Sequence, residues 1–249
     1  MDSSEPSRKR VRLDGEGSAE EESMSKTRVV LALCGSMSPI TNLHLRMFEL
    51  ARDYLNNSGR YHVDRGIISI VHDAYKKKGL VNCSHRKAMV ELALQGSNWI
   101  KLDTWECDQA AWTPTRQLME HMQETATAQS GGQEKIKLLC GADLLESFAT
   151  PGLWSPEDIQ TIVGKFGVVV ISRFGHNAEE FVYKSDDLFP LKNNIDLVTD
   201  WIPNDVSSTK IRRSIRRGES VKHLIPDSVI DYIKQNNLYT GPDTPPPTS

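Results

Sequence analysis

The sequence predicts a single α/β domain with one mostly parallel sheet and helices on both of its faces. Two observations lead to this fold class. The chain has 249 residues, of which 38% are hydrophobic, so it is long enough to bury one substantial core. Its apolar runs also alternate with amphipathic segments, and a strand followed by a helix is the unit from which parallel sheets are built.

The alternation of strands and helices extends from about residue 27 to residue 239. The predicted strand and helix pairs are 28–34 with 42–56, 66–71 with 85–94, 99–103 with 115–128, and 136–140 with 142–149. They are followed by a strand at 167–172, an irregular stretch at 174–194, a last strand at 195–202, and helices at 208–217 and 226–236. This order indicates a Rossmann-like sheet, in which ligands bind beyond the carboxyl ends of the strands.

Both ends of the chain differ in composition from the predicted domain, which spans residues 27–239. Residues 1–26 are polar, with a basic run at Arg8–Arg12 followed by acidic residues, and this predicts a disordered tail. Residues 240–249 are rich in proline and predict a second tail. The basic run is typical of a nuclear-import signal, so we expect a nuclear protein, with the cytoplasm as the alternative.

Charge and composition exclude several classes of function. A formal net charge of -3 provides no global attraction for nucleic acid or an anionic membrane. The chain has no apolar stretch of about 18 residues and no apolar core of a secretory signal near its start. Its four cysteines form no C-x-x-C pair, so we expect neither a disulfide framework nor a zinc site. A reducing compartment fits this composition best.

The first predicted strand leads into the segment Cys34-Gly-Ser-Met-Ser-Pro-Ile-Thr-Asn-Leu-His44. Gly35 allows a ligand to approach the backbone closely, and the start of the following helix can hold a phosphate group. His44 falls on the first turn of that helix, where its ring can donate a hydrogen bond to a phosphoryl oxygen. The alternative is an ordinary strand-turn-helix connection, with Thr41 as the helix cap and an incidental histidine.

This segment closely resembles the G-x-F-x-P-x-(H/T)-x-x-H signature of the nucleotidylyltransferase superfamily, and in particular that of the nicotinamide-mononucleotide adenylyltransferases. The similarity extends from about residue 29 to residue 239. The sequence departs from the usual pattern at Met37, where the family has phenylalanine, at Ile70, where it has proline, and at His72, where many members have a small or polar residue.

The resemblance implies an enzyme of NAD biosynthesis whose substrates are ATP and nicotinamide mononucleotide, with nicotinate mononucleotide as a further acceptor. The phosphate of the mononucleotide attacks the α-phosphorus of ATP directly, so that NAD forms and pyrophosphate leaves. Such transfers depend mainly on alignment and on charge stabilisation, in which Mg²⁺ takes part. We expect the Mg²⁺ to be held mainly by the ATP phosphates, with no protein ligand for the metal.

The resemblance also implies which residues bind the mononucleotide and the NAD product. They are Gly35, Ser36, Lys77, Trp112, Thr115, Leu153 and Trp154. Trp112 and Trp154 can hold the electron-poor pyridinium ring between two indoles. By its residues alone, the triplet Lys76–Lys78 can equally be a solvated charge run. The spacing of Trp105 and Trp112 is equally typical of core packing.

A second segment, Asn204-Asp-Val-Ser-Ser-Thr-Lys-Ile-Arg-Arg213, resembles the I-S-S-T-x-x-R signature of the same family. The implied ATP-binding residues are His44, Gly141, Asp143, Arg173, Asn204, Ser208, Thr209 and Arg212. Among them, His44 and Arg212 are the implied catalytic residues. The helix start, capped by Ser207 or Ser208, can converge with the Arg212 guanidinium on the β- and γ-phosphates. Asp143 has an ordinary alternative role as a helix cap.

Two other functions remain open at this point. A related transferase would pass CMP or AMP to a different phosphorylated acceptor, but Trp112, Thr115 and Trp154 argue against it. A noncatalytic dinucleotide-binding chaperone or scaffold would use the same pocket, whereas His44 and Arg212 favour catalysis. We expect a homo-oligomer, with no nucleic-acid or membrane partner.

Overall fold

The computed structural model describes residues 26–173, 177–202 and 204–241. The predicted tails at 1–26 and 240–249 therefore lie outside the described residues, apart from residues 26, 240 and 241. The basic run at Arg8–Arg12 also lies outside them.

Within the described ranges, six strands form one sheet; the alternation of strands and helices predicted a mostly parallel sheet, and this one is fully parallel. The strands are β1 (Thr27–Gly35), β2 (Tyr61–Ile70), β3 (Ile100–Asp103), β4 (Glu134–Gly141), β5 (Val168–Arg173) and β6 (Ile195–Asp200). Their order is β3-β2-β1-β4-β5-β6, so the direction of winding reverses between β1 and β4. A crevice for ligands is expected beyond the strand ends at this reversal.

The helices connect the strands and cover both faces of the sheet. They are α1 (Asn42–Asn57), α2 (Cys83–Leu94), α3 (Thr115–Ser130), α4 (Ala142–Ser147), α5 (Pro156–Ile159), α6 (Ala178–Lys184), α7 (Ser208–Arg216) and α8 (Asp227–Gln235). A π-helical segment at Gln160–Phe166 continues α5. Short 3₁₀ turns lie at Asp73–Tyr75, Glu106–Asp108 and Phe189–Asn194.

The core lies on both sides of the central strand β1, because successive side chains of a strand point to opposite faces. Val29, Leu31 and Leu33 are buried with residues of α1, α2 and α8. Val30 and Ala32 are buried with residues of α3, α4 and the 159–166 helix. Burial on both faces explains why this strand is a continuous apolar run in the sequence.

The structure corrects three parts of the secondary-structure prediction. The stretch at 174–194, predicted to be irregular, contains α6 and a 3₁₀ turn. The helical segment at 156–166 was not predicted, although Ser155 and Asp158 form a capping box at its start. Strand β2 begins at Tyr61 rather than at residue 66, because its polar first half is paired through side chains, for example Arg65 with Glu134 at 2.7 Å.

A disulfide joins Cys83, at the start of α2, to Cys107, in the turn after β3. The prediction that the chain has no disulfide is therefore wrong for this pair. Its Cα atoms lie 6.4 Å apart, whereas 24 residues separate the two cysteines along the chain, so local spacing contains no sign of the bond. Cys34 and Cys140 are free, and burial raises the pKa of both thiols, as expected for small hydrophobic side chains.

Candidate active site

A cavity of about 420 Å³ lies at the carboxyl edge of the sheet, beyond the ends of β1 and β4. Nine of the residues predicted from the family resemblance line it: Gly35, Ser36, His44, Lys77, Gly141, Asp143, Ser208, Thr209 and Arg212. A smaller cavity shares Gly141 and Asp143 with the first and adds Asn204. The register of the sheet also pairs Arg173 with Asp200 at the same edge.

The predicted residues for the pyridinium ring lie outside the lining of these two cavities. The ring of Trp112 is 44% exposed, and its centroid is 6.1 Å from that of Tyr75. Trp154 is half-buried, packs on Phe148 with 4.9 Å between centroids, and donates from Nε1 to Ser147 Oγ at 3.1 Å. The two tryptophans therefore have different surroundings. Trp112 contacts the exposed ring of Tyr75, whereas Trp154 packs against the core.

Thr115 and Leu153 lie close in sequence to Trp112 and Trp154, respectively. Thr115 is the first residue of α3, and Leu153 is exposed in the turn before α5. These positions place them next to the two tryptophans in sequence, on the two segments that lead into α3 and α5.

The local structure fixes the tautomer of His44. Thr41 caps α1, and its backbone N–H donates to Nδ1 of His44 at 3.0 Å. Because Nδ1 accepts a hydrogen bond, the hydrogen of the neutral ring is on Nε2. Burial, followed by the charge of Lys77, lowers the pKa of His44 to about 4. The ring is therefore a neutral donor at physiological pH.

Two cations face the same cavity. Arg212 is only 4% exposed; it donates from Nη1 to the carbonyl of Ser38 at 2.9 Å and from Nη2 to that of Lys78 at 3.3 Å. Desolvation by the surrounding protein, followed by the charge of Arg212, lowers the pKa of Lys77. Such mutual repulsion between cations is relieved when an anion binds, so the electrostatics of the cavity suit a ligand with several phosphate groups.

The start of helix α7 also lines this cationic cavity. Ser207 is its cap and accepts from the backbone N–H of Lys210 at 3.3 Å. Ser208 donates its hydroxyl hydrogen to the carbonyl of Pro39 at 2.8 Å, which fastens α7 to the turn after β1. Of the two donors of Ser208, the hydroxyl is therefore engaged, and the backbone N–H is left for a ligand. The first N–H groups of a helix have no partner within it and favour an anion.

The three departures from the family pattern each have a local explanation. Met37 is buried, and its methyl group lies 3.2 Å from where a side chain at Gly35 would begin, so it fills the place of the usual phenylalanine. Ile70 is buried in the core at the end of β2. The ring of His72 caps the next turn by accepting from the backbone N–H of Ala74 at 3.1 Å.

Two buried charged residues behind the site were not predicted from the sequence. Arg86 of α2 is fully buried and donates to the carbonyls of Val81 and Ser36 and to the carboxylate of Asp73. Glu106 is 3% exposed, and burial raises its pKa to about 7, although Ser69 donates to it at 3.3 Å. A single charged residue in a predicted helix or turn has no local sign of burial, so neither could be identified from the sequence.

Among the residues that the structure describes, no group of three or more histidine, cysteine, aspartate or glutamate side chains could hold a metal ion. Within the same ranges, no helix is long and apolar enough to span a bilayer.

Comparisons with known proteins agree with this arrangement. The sequence profile of the cytidylyltransferase-like family matches residues 32–214. The chain is 46% identical to the nicotinamide/nicotinic acid mononucleotide adenylyltransferase 1 of Bos taurus over 257 residues, which cover 88% of this chain and 92% of that protein. It is 44% identical to the nicotinamide/nicotinic acid mononucleotide adenylyltransferase of Arabidopsis thaliana, with 86% and 91% of the two chains covered.

A solved structure from Vibrio parahaemolyticus, described as a nicotinate-nucleotide adenylyltransferase, has a similar fold. Its TM-score is 0.50 at 16% identity, and the match covers 86% of this chain and 97% of that one. At this identity the likeness concerns the fold alone.

Proposed function

The chain belongs to the cytidylyltransferase-like family and, within it, to the eukaryotic nicotinamide/nicotinic acid mononucleotide adenylyltransferases, and on this basis we propose how its residues carry out the reaction. The protein is an enzyme of NAD biosynthesis that transfers the adenylyl group of ATP to the mononucleotide. The proposed mechanism rests on one observation. A single cavity is lined by His44, Lys77, Arg212 and the start of α7. The noncatalytic alternative is not favoured, because the similar proteins are named as transferases.

We assign the triphosphate of ATP to the cavity between His44 and α7. Arg212 and the backbone N–H groups of Ser208 and Thr209 would hold the β- and γ-phosphates. The adenosine would extend into the smaller cavity, which Asp143 and Asn204 both line. Asp143 would accept hydrogen bonds from the ribose hydroxyls, and Asn204 would lie close to the base. Arg173 is assigned to the same side because its strand ends at this edge.

We assign the phosphate of the acceptor to the backbone of Gly35 and Ser36 and to the ammonium group of Lys77. A phosphate monoester has a second pKa of about 6, so it is an anionic nucleophile without a general base. Its oxygen attacks the α-phosphorus, and the bond from that phosphorus to the departing pyrophosphate breaks. The Nε2–H of His44 would donate to a non-bridging oxygen as charge builds up there.

The pyridinium ring of the acceptor would extend out of the cavity, towards Trp112 and Thr115 on one side and Leu153 and Trp154 on the other. The exposed face of Trp112 supports this assignment, because an exposed indole is available to a ligand.

The donors around the cavity suit a Mg²⁺ ion that arrives with ATP. Of the candidate residues in the lining, Asp143 is the one carboxylate, and the others offer cations, hydroxyls and backbone groups. When bound to the phosphates, Mg²⁺ shares their negative charge and makes the α-phosphorus easier to attack.

The experiment that tests this mechanism is incubation of the purified protein with ATP, Mg²⁺ and either mononucleotide, followed by identification of the products. Arg212→Ala should raise the KM for ATP with the mononucleotide saturating. Arg213→Ala is the matched control, since Arg213 is the next residue of α7 and is exposed. Equal ATP dependence of the two variants would remove Arg212 from the site.

We also propose that the protein enters the nucleus through Arg8–Arg12 and that it assembles as a homo-oligomer. The composition of the basic run supports the first proposal. A fluorescent fusion without residues 1–26 should move towards the cytoplasm, and an unchanged distribution would refute it. Analytical ultracentrifugation of the purified protein tests the second, and a monomeric mass across the concentration range would exclude it.

A further inference from the structure

Ser38 lies in the turn between β1 and α1 and connects that turn to three other segments: residues 77–81, α7 and the segment after α8. It is 1% exposed. Its Oγ donates to the carbonyl of Gly79 at 2.9 Å, accepts from the backbone N–H of Val81 at 3.3 Å, and lies 3.0 Å from the hydroxyl of Tyr239. Its own carbonyl accepts from Nη1 of Arg212.

The direction of the bond between Ser38 and Tyr239 follows from counting hydrogens. A serine hydroxyl has one hydrogen, and a carbonyl oxygen can only accept, so that hydrogen is given to Gly79. The hydroxyl of Tyr239 must therefore donate to Ser38. With the N–H of Val81, Ser38 Oγ then has both of its acceptor positions filled.

We propose that Tyr239, which follows α8, is a positioning residue for the adenylyl transfer and acts through Ser38. Tyr239 is 8% exposed and follows α8, at a distance in sequence from every predicted site residue. Its bond to Ser38 connects the segment after α8 to the two backbone segments whose carbonyls orient Arg212. This inference rests on the proposed roles of Lys77 and Arg212.

The geometry explains why this bond affects the reaction rather than stability alone. The carbonyls of Ser38 and Lys78 both accept from the guanidinium of Arg212, and Lys78 lies between Lys77 and Gly79. Without Tyr239, the turn and the 77–81 segment lose a shared restraint, and both phosphate-binding cations can shift. Small displacements of groups that align the reacting atoms reduce the rate strongly.

The test is Tyr239→Phe, which removes one hydroxyl, with Tyr232→Phe as the matched control. The hydroxyl of Tyr232 is bonded to Nδ1 of His85 at 3.0 Å, between α2 and α8 and outside both cavities. Tyr239→Phe should lower kcat/KM by about 2- to 13-fold, the range for one net hydrogen bond, at a temperature where both variants are fully folded. Tyr232→Phe should leave kcat/KM unchanged. Equal activity of the two variants would overturn the inference.

A double-mutant cycle tests whether the effect passes through Ser38. If it does, Ser38→Ala and Tyr239→Phe together should cost no more than the larger single loss, whereas additive losses would contradict the pathway. If Ser38→Ala does not fold, a cycle of Tyr239→Phe with Arg212→Lys replaces it. In that cycle too, a double variant that loses no more activity than the more impaired single variant supports the pathway, and additive losses contradict it.

Arg212→Ala separates this inference from the proposed mechanism. If Arg212→Ala has the activity of the unmodified protein, the site assignment fails. If Arg212→Ala is impaired and Tyr239→Phe is not, the inference alone fails.

Discussion

The buried carboxyl of Glu106 makes stability fall as pH rises, which is the reverse of the usual effect of a carboxylate. Its pKa is raised from 4.5 to about 7 by burial, so the folded protein holds its proton in a pH range where the unfolded chain has lost it. Unfolding then releases a proton, and stability decreases with pH between these two values. At low pH Glu106 is protonated in both the folded and the unfolded state, so it no longer makes stability depend on pH.

The size of the effect follows from the two pKa values. Each unit of difference between the two pKa values corresponds to about 1.4 kcal/mol. For a single group, the free energy of unfolding therefore falls by roughly 2.5 kcal/mol between about pH 5 and pH 8. Glu106→Gln removes the charge and keeps the shape, and its amide can still bond to Ser69. We therefore expect the free energy of unfolding of Glu106→Gln, relative to the unmodified protein, to increase by roughly this amount from pH 5 to pH 8.

Urea unfolding at the two pH values measures this difference. Asp108→Asn is the control, because Lys87 lowers the pKa of Asp108 and keeps it ionised across the whole range. The relative stability of that variant should be the same at both pH values. If the relative stability of Glu106→Gln is also independent of pH, the carboxyl of Glu106 is not protonated in the folded protein and the reasoning is wrong.

Three further predictions concern the site and the core. His44→Ala should lower kcat on the order of 10²–10³-fold, and an unchanged kcat would refute its role. In NMR of the free protein the ring should titrate near 4, so the neutral ring adds to the free energy of unfolding above about pH 6.5, and this contribution is lost as pH falls towards 4. Trp112→Ala should weaken mononucleotide binding, measured by calorimetry, by roughly 5- to 150-fold, with little change in Tm because Trp112 is exposed. Trp154→Ala should weaken the same binding and should also lower Tm, because Trp154 packs on the core. Gly66→Ala should cost about 1–3 kcal/mol of stability in thermal unfolding, since its new methyl would lie 2.7 Å from the Phe48 ring, and an unchanged Tm would show that the ring can move aside.

Local patterns predicted much of the fold and the part of the site formed by the turn after β1 and the start of α7. Strand β1, the turn after it and the cap at Thr41 are consecutive in the chain, so apolar runs, glycine and a capping residue were enough to identify them. The same holds for α7, whose cap at Ser207 and whose Arg212 lie within one short segment. Residues predicted from these two segments meet at one cavity, because the ends of parallel strands lie on one edge of the sheet.

Contacts between distant segments could not be predicted in this way. The sequence predicted the same role for Trp112 and Trp154, as the two walls around one ring. In the structure Trp112 contacts Tyr75, whereas Trp154 packs on Phe148. The bond of Ser208 to Pro39 depends on how α7 docks against the turn after β1. A hydroxyl or a charged group has no pattern that shows which remote backbone atom it will meet.

The central position of β1 also has a consequence for the synthesis of the protein. Of the strands that the structure describes, β1 leaves the ribosome before the others, β2 follows it, and β4, its partner on the other side, begins about 100 residues after β1 ends. At about 5–20 residues per second, one edge of this highly apolar strand stays open for roughly 5–20 seconds. During that time the nascent chain presents an edge to which other chains can add, so the interval before β4 emerges is when aggregation competes most directly with folding.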